Sequence, residues 1–154
     1  MKRLILTGLV LSGLMVPAQA TEVWQGTMFV TAANSPCRAD GVVVGDFYLA
    51  VYRPRNVEDN GVDTRLALFT TRSANRYIVI NKPFDGNGRY EGIRVSTTAL
   101  VQDWSGNFSG ATVNPPSPTP STQTVEITVT FTKFNNNSGC TATLVGSLTN
   151  RPAL

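Results

Sequence analysis

The sequence predicts an all-β protein in which eight antiparallel strands, in up-and-down order, close into a barrel with one disulfide. Three observations lead to this fold class. Apolar and polar residues alternate with a period of two in many segments, and beyond residue 20 no segment has a sustained 3.6-residue period. Short loops rich in glycine, asparagine and proline separate these segments. The two cysteines fall where they would join the first and last strands. A two-sheet β-sandwich with paired terminal strands is the alternative.

The N-terminal segment has the pattern of a secretory signal peptide. Lys2 and Arg3 precede an apolar run over residues 4–16, and Ala18 and Ala20 form the small-x-small pattern of a cleavage site. The apolar run is shorter than the ~20 residues of a membrane-spanning helix. We therefore expect cleavage after Ala20, a single all-β domain over residues 21–154, and a periplasmic or secreted location.

The composition excludes several classes of chemistry. The chain contains no histidine and only two cysteines, which excludes Ser–His and Cys–His nucleophile pairs and histidine or four-thiolate zinc sites. Two of the 13 basic residues lie in the predicted signal peptide, which leaves 11 against 10 acidic residues. Because no basic stripe remains to neutralise phosphates, we expect no nucleic-acid partner. We also expect no metal and no cofactor.

Eight segments combine period-two alternation with β-branched and aromatic residues. In the clearest, TVEITVTFTKF over 124–134, an apolar row from Val125 to Phe131 lies opposite a row formed by Glu126 and four threonines. One face of this strand is therefore predicted to be buried and the other exposed to water. The predicted strands cover, in order, residues 23–32, 42–53, 64–72, 76–82, 89–97, 103–113, 124–134 and 140–149.

Two of these strands repeat a Trp-x-Gly pattern, in WQGTMFV from Trp24 and in WSGNFSG from Trp104. In both, large residues and glycines share one face, and strand eight has the same mixture. The predicted rows are Trp24, Gly26, Met28 and Val30; Trp104, Gly106, Phe108 and Gly110; and Ala142, Leu144, Gly146 and Leu148. Glycine lets a strand bend and leaves room for a ring on the opposite strand. We therefore expect both tryptophans in the core of a curved sheet rather than on a stacking platform for a ligand.

The two cysteines are predicted to form a disulfide, as is usual in exported proteins. In up-and-down order, the end of strand one and the start of strand eight lie at the same end of the molecule, and closure makes these strands neighbours. Cys37 follows strand one and Cys140 opens strand eight. The bond would therefore join strand one to strand eight across the seam, the line along which the barrel closes.

Up-and-down order also sorts the loops between the two ends of the barrel. Loops 54–63, 83–88 and 114–123 share the end away from the cysteines, and the last of them contains four prolines. Binding sites are commonly built from such loops on a rigid scaffold. The predicted ligand-binding residues are the carboxylates of the first two loops, Glu58, Asp59, Asp63 and Asp85.

Arginines gather around the predicted hairpin that contains TTRSANR. Arg65, Arg72 and Arg76 lie in or beside it. The planar guanidinium group suits carboxylate, sulfate and phosphate. A small anion-binding patch is therefore predicted here, and a solvated row of charges is the alternative.

The sequence thus predicts an exported, non-enzymatic binding module without catalytic residues. Its ligand is a small molecule in the mouth of the barrel, or an envelope or extracellular partner on its wall. A structural envelope component or a small outer-membrane barrel is one alternative, since alternation alone does not say which face points outward. A hydrolase that uses two of the four carboxylates is another. The oligomeric state stays open.

Overall fold

A computed structural model describes residues 22–54, 65–70, 76–81, 84–95 and 100–151. The described residues form a closed barrel of eight strands, with a short helix and a 3₁₀ turn. In chain order these elements are β1 (Trp24–Ala33), α1 (Ser35–Ala39), β2 (Phe47–Arg53), β3 (Arg65–Thr70), β4 (Arg76–Asn81), β5 (Gly86–Val95), β6 (Leu100–Asn114), β7 (Thr124–Thr132), the 3₁₀ turn (Phe134–Asn136) and β8 (Thr141–Asn150). The predicted signal peptide over 1–20 lies outside the described residues. Within the described ranges, no helix has the length and apolar character needed to cross a bilayer.

Each described strand pairs antiparallel with the next one along the chain, and β8 pairs with β1 to close the ring. The seam between them runs from Trp24 opposite Asn150 to Ala33 opposite Ala142. The predicted barrel is therefore confirmed, and the sandwich is not formed. Strand bounds differ from the predicted ones by a few residues, and most at β2, which begins at Phe47 rather than at residue 42.

The stretch between β1 and β2 folds into α1 and a loop, and this loop includes residues 42–46, where the sequence predicts the start of strand two. The Asn34 side chain caps the helix by accepting the backbone N–H of Cys37 at 3.3 Å. Pro36 occupies the first turn, where a missing N–H leaves no helical hydrogen bond unmade. The sequence Asn34-Ser35-Pro36 is thus a recognisable signal for the start of a helix. A helix of five residues, however, is too short to show a 3.6-residue period.

Large side chains inside the barrel lie against glycines of the neighbouring strand. The pairs between β6 and β5 are Trp104 with Gly92, Gly106 with Tyr90, and Phe108 with Gly88. A β-carbon on Gly92 would lie 1.9 Å from the Trp104 indole, so only a hydrogen atom fits there. The seam repeats the arrangement, because Met28 lies against Gly146. Glycines inside the barrel therefore provide the space that the rings and the methionine fill.

Side chains fill the barrel, and a phenylalanine from a loop closes each end. Phe134, on the 3₁₀ turn, packs against Phe131 and Tyr48 with ring centroids 5.6 and 5.3 Å away. At the other end Phe84, between β4 and β5, packs against Phe108 at 5.5 Å. The rings of Phe134 and Phe84 are buried, as are both tryptophans. The interior is therefore a packed core, and the predicted burial of the tryptophans is confirmed.

A bulge in β6 interrupts one of the predicted inward rows. Gly110 has a φ of +58°, and the register between β6 and β7 shifts between Ser109 and Thr112. Gly110 is exposed and Ala111 takes the buried position, so the prediction that Gly110 faces inward is wrong. A bulge adds one residue to a strand and breaks its period-two alternation.

The disulfide between Cys37 and Cys140 joins the two sides of the seam, as predicted. The two Cα atoms lie 4.4 Å apart, although the residues are separated by 103 positions in the chain. Because Cys37 lies on α1 and Cys140 precedes β8, the bond ties the helix to the last strand. Closing a loop of this length stabilises a fold by about 4 to 5 kcal/mol when the effect is attributed to chain entropy.

We predict that Gly92→Ala destabilises the barrel. The added methyl group must displace the Trp104 indole from a packed core, and overpacking of this kind costs about 1–3 kcal/mol or more. Chemical denaturation measures the loss in the free energy of unfolding. Ser109→Ala, on the exposed face of β6, is the matched control and should change that free energy by less than about 0.5 kcal/mol. Equal stabilities of Gly92→Ala and the parent would contradict the packing described here.

Candidate binding groove at the mouth of the barrel

The end of the barrel away from the disulfide carries a groove of about 500 Å³, here called the mouth groove. Tyr52 at the end of β2 and Phe84 beside β5 are buried and form its base. One side comes from residues 111–113 of β6 and the other from residues 116–119 of the proline-rich loop. Pro54 and Asp85 complete the lining. The groove thus lies at the end where the three long loops were predicted to meet.

The proline-rich loop is held against the barrel by hydrogen bonds. Within the loop, the Thr122 N–H donates to the Thr119 carbonyl at 2.8 Å, which closes a turn. From the barrel, the Trp24 indole N–H donates to the Thr122 carbonyl at 3.0 Å. The Asn150 side-chain amide donates to the Pro120 carbonyl at 2.8 Å. This side of the groove is therefore preformed, which reduces the entropy lost when a ligand binds.

Tyr52 contributes a polar atom to the base of the groove. Its side chain is only 3% exposed, and its ring lies 6.1 Å from Trp24 and 6.4 Å from Phe84 between centroids. Burial raises the pKa of Tyr52 to about 12, so the hydroxyl is neutral at physiological pH. Among the described residues, nothing forms a hydrogen bond with this hydroxyl. A ligand in the groove can therefore supply a partner that no described residue supplies.

Tyr90, at the disulfide end, differs from Tyr52 in its hydrogen bonding. Its hydroxyl lies 2.8 Å from the carbonyl oxygens of both Thr132 and Lys133. Burial raises the pKa of Tyr90 to about 12, and the nearby Trp104 side chain lowers it to a smaller extent. The Trp104 indole nitrogen nevertheless reaches hydrogen-bond geometry with no described residue. The Tyr90 hydroxyl is thus satisfied by the backbone, whereas the Tyr52 hydroxyl has no partner among the described residues.

The other polar groups of the groove are three hydroxyls and a carboxylate. Thr112, Ser117 and Thr119 carry the hydroxyls, Asp85 carries the carboxylate, and all four residues are exposed. The described lining contains no lysine or arginine. The groove can therefore exchange hydrogen bonds with a neutral, hydroxyl-bearing ligand, and its described residues offer no cation to an anionic one.

The structure describes one of the four predicted ligand-binding carboxylates. Asp85 lines the mouth groove, and Glu58, Asp59 and Asp63 lie outside the described residues. In the ranges that are described, no three or more metal-ligating side chains come together as a metal site. Ligand binding by the carboxylates stays a prediction.

The predicted arginine patch is described only in part. The backbone places Arg65 at the mouth end of β3 and Arg76 at the disulfide end of β4. Arg72 lies outside the described residues. Two of the three arginines are therefore attached at opposite ends of the hairpin, and anion binding stays a prediction.

Tyr52 and Phe84 line the groove although the sequence was not interpreted that way. Tyr52 continues the inward period-two row of Tyr48 and Ala50, so its burial at a strand end could have been predicted. Phe84 lies beside Asp85 in a stretch of turn residues. Nothing local distinguishes a loop phenylalanine that closes a barrel from one that is exposed.

Comparison of the chain with protein-family models, with curated proteins and with solved structures gives no match in any of the three. The mouth groove and the barrel therefore provide the basis for proposing a function.

The buried tyrosines predict a loss of stability at high pH. The pKa of Tyr52 and of Tyr90 is about 12 in the folded protein, against an ordinary value of 10.0. Below pH 10 both hydroxyls are neutral in the folded and the unfolded state. As the pH rises from about 10 to 12, the unfolded chain releases these protons first, so the free energy of unfolding falls.

Tyr52→Phe should remove the contribution of Tyr52 to this fall. The measurement is denaturant unfolding of the parent and the variant on both sides of pH 10. We expect the free energy of unfolding to fall less steeply with pH in the variant than in the parent above pH 10. At no pH should it fall more steeply. Identical pH dependence of the two proteins would contradict a raised pKa at Tyr52.

Proposed function

We propose that the protein is an exported binding module whose mouth groove takes a small, uncharged, polyhydroxylated ligand of the saccharide class. The observation that carries this proposal is the Tyr52 hydroxyl. It belongs to a groove with a preformed side, and no described residue is its hydrogen-bond partner. A neutral hydrogen bond contributes about 0.5–1.5 kcal/mol, so a ligand that pairs with this hydroxyl gains affinity.

The packed core supports a site at the mouth rather than inside the barrel. Phe134 closes the disulfide end and Phe84 forms the base of the groove at the other end. A small molecule that entered the barrel would have to displace buried rings. The groove lies outside this core and leaves it intact.

The lining matches the surface of a saccharide, which combines hydroxyl groups with apolar C–H faces. The hydroxyls of Tyr52, Thr112 and Ser117 can each donate and accept a hydrogen bond. Phe84 and the prolines offer apolar contact, as in most small-molecule sites. The Asp85 carboxylate can accept hydrogen bonds from ligand hydroxyls.

Export belongs to the same proposal. The signal-peptide pattern over residues 1–20 predicts it, and the Cys37–Cys140 disulfide is compatible with it, because such bonds persist in oxidising compartments. We therefore propose that the protein acts in the periplasm or outside the cell.

The wall of β7 disfavours the outer-membrane alternative. Thr124, Glu126 and Thr132 point outward and are exposed, while the apolar row of the same strand points into the barrel. A strand in contact with lipid carries its apolar residues on the outer face. The hydrolase alternative needs a second carboxylate about 5–10 Å from the first, whereas Asp85 is the only acidic residue in the described lining of the groove.

Tyr52→Phe tests the proposal, because it removes one oxygen atom and keeps the ring. The exported protein is first screened against a panel of neutral oligosaccharides by saturation-transfer NMR. Any that bind are then titrated by calorimetry. We expect at least one to bind, and Tyr52→Phe to weaken it by about 3- to 10-fold, the effect of one neutral hydrogen bond.

Stability measurements separate a binding role of Tyr52 from a structural one. Tyr52→Phe should leave the unfolding midpoint unchanged or raise it, because it removes a polar atom that no described residue satisfies. Tyr90→Phe, the matched control, should lower the midpoint and leave affinity unchanged, because its hydroxyl bonds to the backbone far from the groove. The proposal fails if no oligosaccharide binds, or if Tyr52→Phe binds as tightly as the parent.

A further inference from the structure

One side of the outer wall carries a continuous apolar surface. On the outward faces of β8, β1, β2 and β3, five large apolar residues are between 38% and 54% exposed. This wall patch consists of Val145, Phe29, Phe47, Leu49 and Phe69. Val43 and Val44, in the loop before β2, extend it and are 41% and 64% exposed. A contiguous apolar surface of this kind marks an interaction site in most proteins.

Strand pairing makes the wall patch contiguous. Phe29 lies opposite Phe47 on one side and opposite Val145 on the other, which forms a first row. Leu49, two residues after Phe47, lies opposite Phe69 and forms a second row nearer the mouth. Residues paired in this way have β-carbons about 4.5–5.5 Å apart. The two rows therefore form one surface across four strands.

The opposite wall, on β5, β6 and β7, is polar. Its exposed residues include Arg89, Glu91, Asn107, Thr124, Glu126 and Thr132. Among the described residues, the exposed large apolar side chains are thus confined to one side of the barrel. Such a distribution is typical of a docking face.

The second row of the wall patch borders a groove of about 390 Å³. Leu49, Val51 and Phe69 line it, together with Thr27 of β1. Arg151 lies at its mouth end. The rings of Phe29 and Phe47, which project outward beside this groove, are about half-exposed, at 49% and 48%. The patch therefore combines projecting rings with a depression that can receive rings.

A partner must cover this surface by packing side chains on it. All described strands are paired on both sides in the closed ring, so no sheet edge is available for an added strand. The partner therefore needs a complementary face rather than an extended segment.

We infer that the wall patch binds a second copy of this chain in a two-fold arrangement, with the facing β1 and β2 strands antiparallel. A two-fold axis that lies in the interface plane, perpendicular to β1 and β2 and between the two rows, places the Phe29 and Phe47 rings of each copy over the Leu49–Phe69 groove of the other. Each copy then supplies both the rings and the groove. An interface of this type is closed and stops at a dimer.

Charge favours the same orientation. Asp46 precedes Phe47 at the disulfide end of the patch, whereas Arg53 and Arg151 lie at its mouth end. The two-fold arrangement brings the Asp46 end of each copy toward the arginines of the other. A parallel arrangement would bring like charges together and is disfavoured.

The size of the surface is close to that of a stable dimer interface. An aromatic side chain has about 150–250 Å² of surface, so the three partly exposed phenylalanines present roughly 300 Å² and the extended patch roughly 600 Å². Specific interfaces bury about 800 Å² per partner. The extended patch is somewhat smaller than this value, so an interface of this size would also have to include polar residues around the patch.

Sedimentation velocity of the exported protein over a wide concentration range tests the inference. The parent should change from monomer to dimer as its concentration rises. Leu49→Lys places a charge in the centre of the patch without touching the core, and it should weaken association at least tenfold. Asn107→Lys adds the same charge on the polar wall and is the matched control, which should dimerise like the parent.

The orientation of the two copies is tested by Arg53→Glu. In the two-fold dimer this substitution places the new carboxylate of one copy near Asp46 of the other. It should weaken association, and more strongly at low salt than at high salt. A parent that stays monomeric at every concentration would overturn the inference, as would a Leu49→Lys variant that dimerises like the parent. Trimers or open-ended polymers would overturn the two-fold arrangement. None of these outcomes bears on saccharide binding, because the mouth groove shares no residue with the wall patch.

Discussion

The close contact between large side chains and glycines is the constraint on which the rest of the barrel depends. Trp104 can occupy its position only because Gly92 has no β-carbon, and Tyr90 only because Gly106 has none. A ring of eight strands leaves an interior just wide enough for side chains to fill. Large residues therefore cannot face each other across neighbouring strands at every level. Alternation of rings and glycines lets adjacent strands share the space, and it explains the glycine of the second Trp-x-Gly stretch. In the first stretch, a β-carbon on Gly26 would instead meet the backbone of β8 at Ser147 and Leu148.

Once the interior is filled in this way, the proposed binding site can lie only on the surface. Phe84 closes the core at the mouth and also forms the base of the mouth groove, so core packing and site geometry share a residue. Trp24 has a comparable double role: its ring is buried, and its indole N–H holds the proline-rich loop at Thr122. The disulfide fixes the other end of the barrel. The groove is thus attached to a rigid scaffold, as the proposed recognition of a small ligand requires.

The sequence predicts the architecture better than the site, for physical reasons. Period-two alternation and the positions of Cys37 and Cys140 were enough to predict the barrel and its seam. Alternation could not predict the bulge at Gly110, where a single added residue reverses the faces. Alternation also does not distinguish one outward position from another. The pattern of a single strand therefore does not show that Phe29 and Phe47 meet on one wall. That follows only from the register of β1 with β2.

The residues of the mouth groove were harder to predict because they depend on contacts between distant segments. Asp85 was predicted from its loop, and it does line the groove. Tyr52 matters because no described residue pairs with its hydroxyl, a property of the folded surroundings rather than of any motif. Likewise, the proline-rich loop becomes one side of the groove through hydrogen bonds to Trp24 and Asn150.

The most direct test of this account is the quenching of tryptophan fluorescence by a neutral soluble quencher in the native protein. Trp24 and Trp104 are the only tryptophans of the chain, and they are 0% and 4% exposed. A packed interior predicts blue-shifted emission and weak quenching, which becomes efficient only after unfolding. Native emission at the wavelength of a hydrated indole, with quenching as strong as in the unfolded chain, would show that the barrel is open to water and would contradict the packed core.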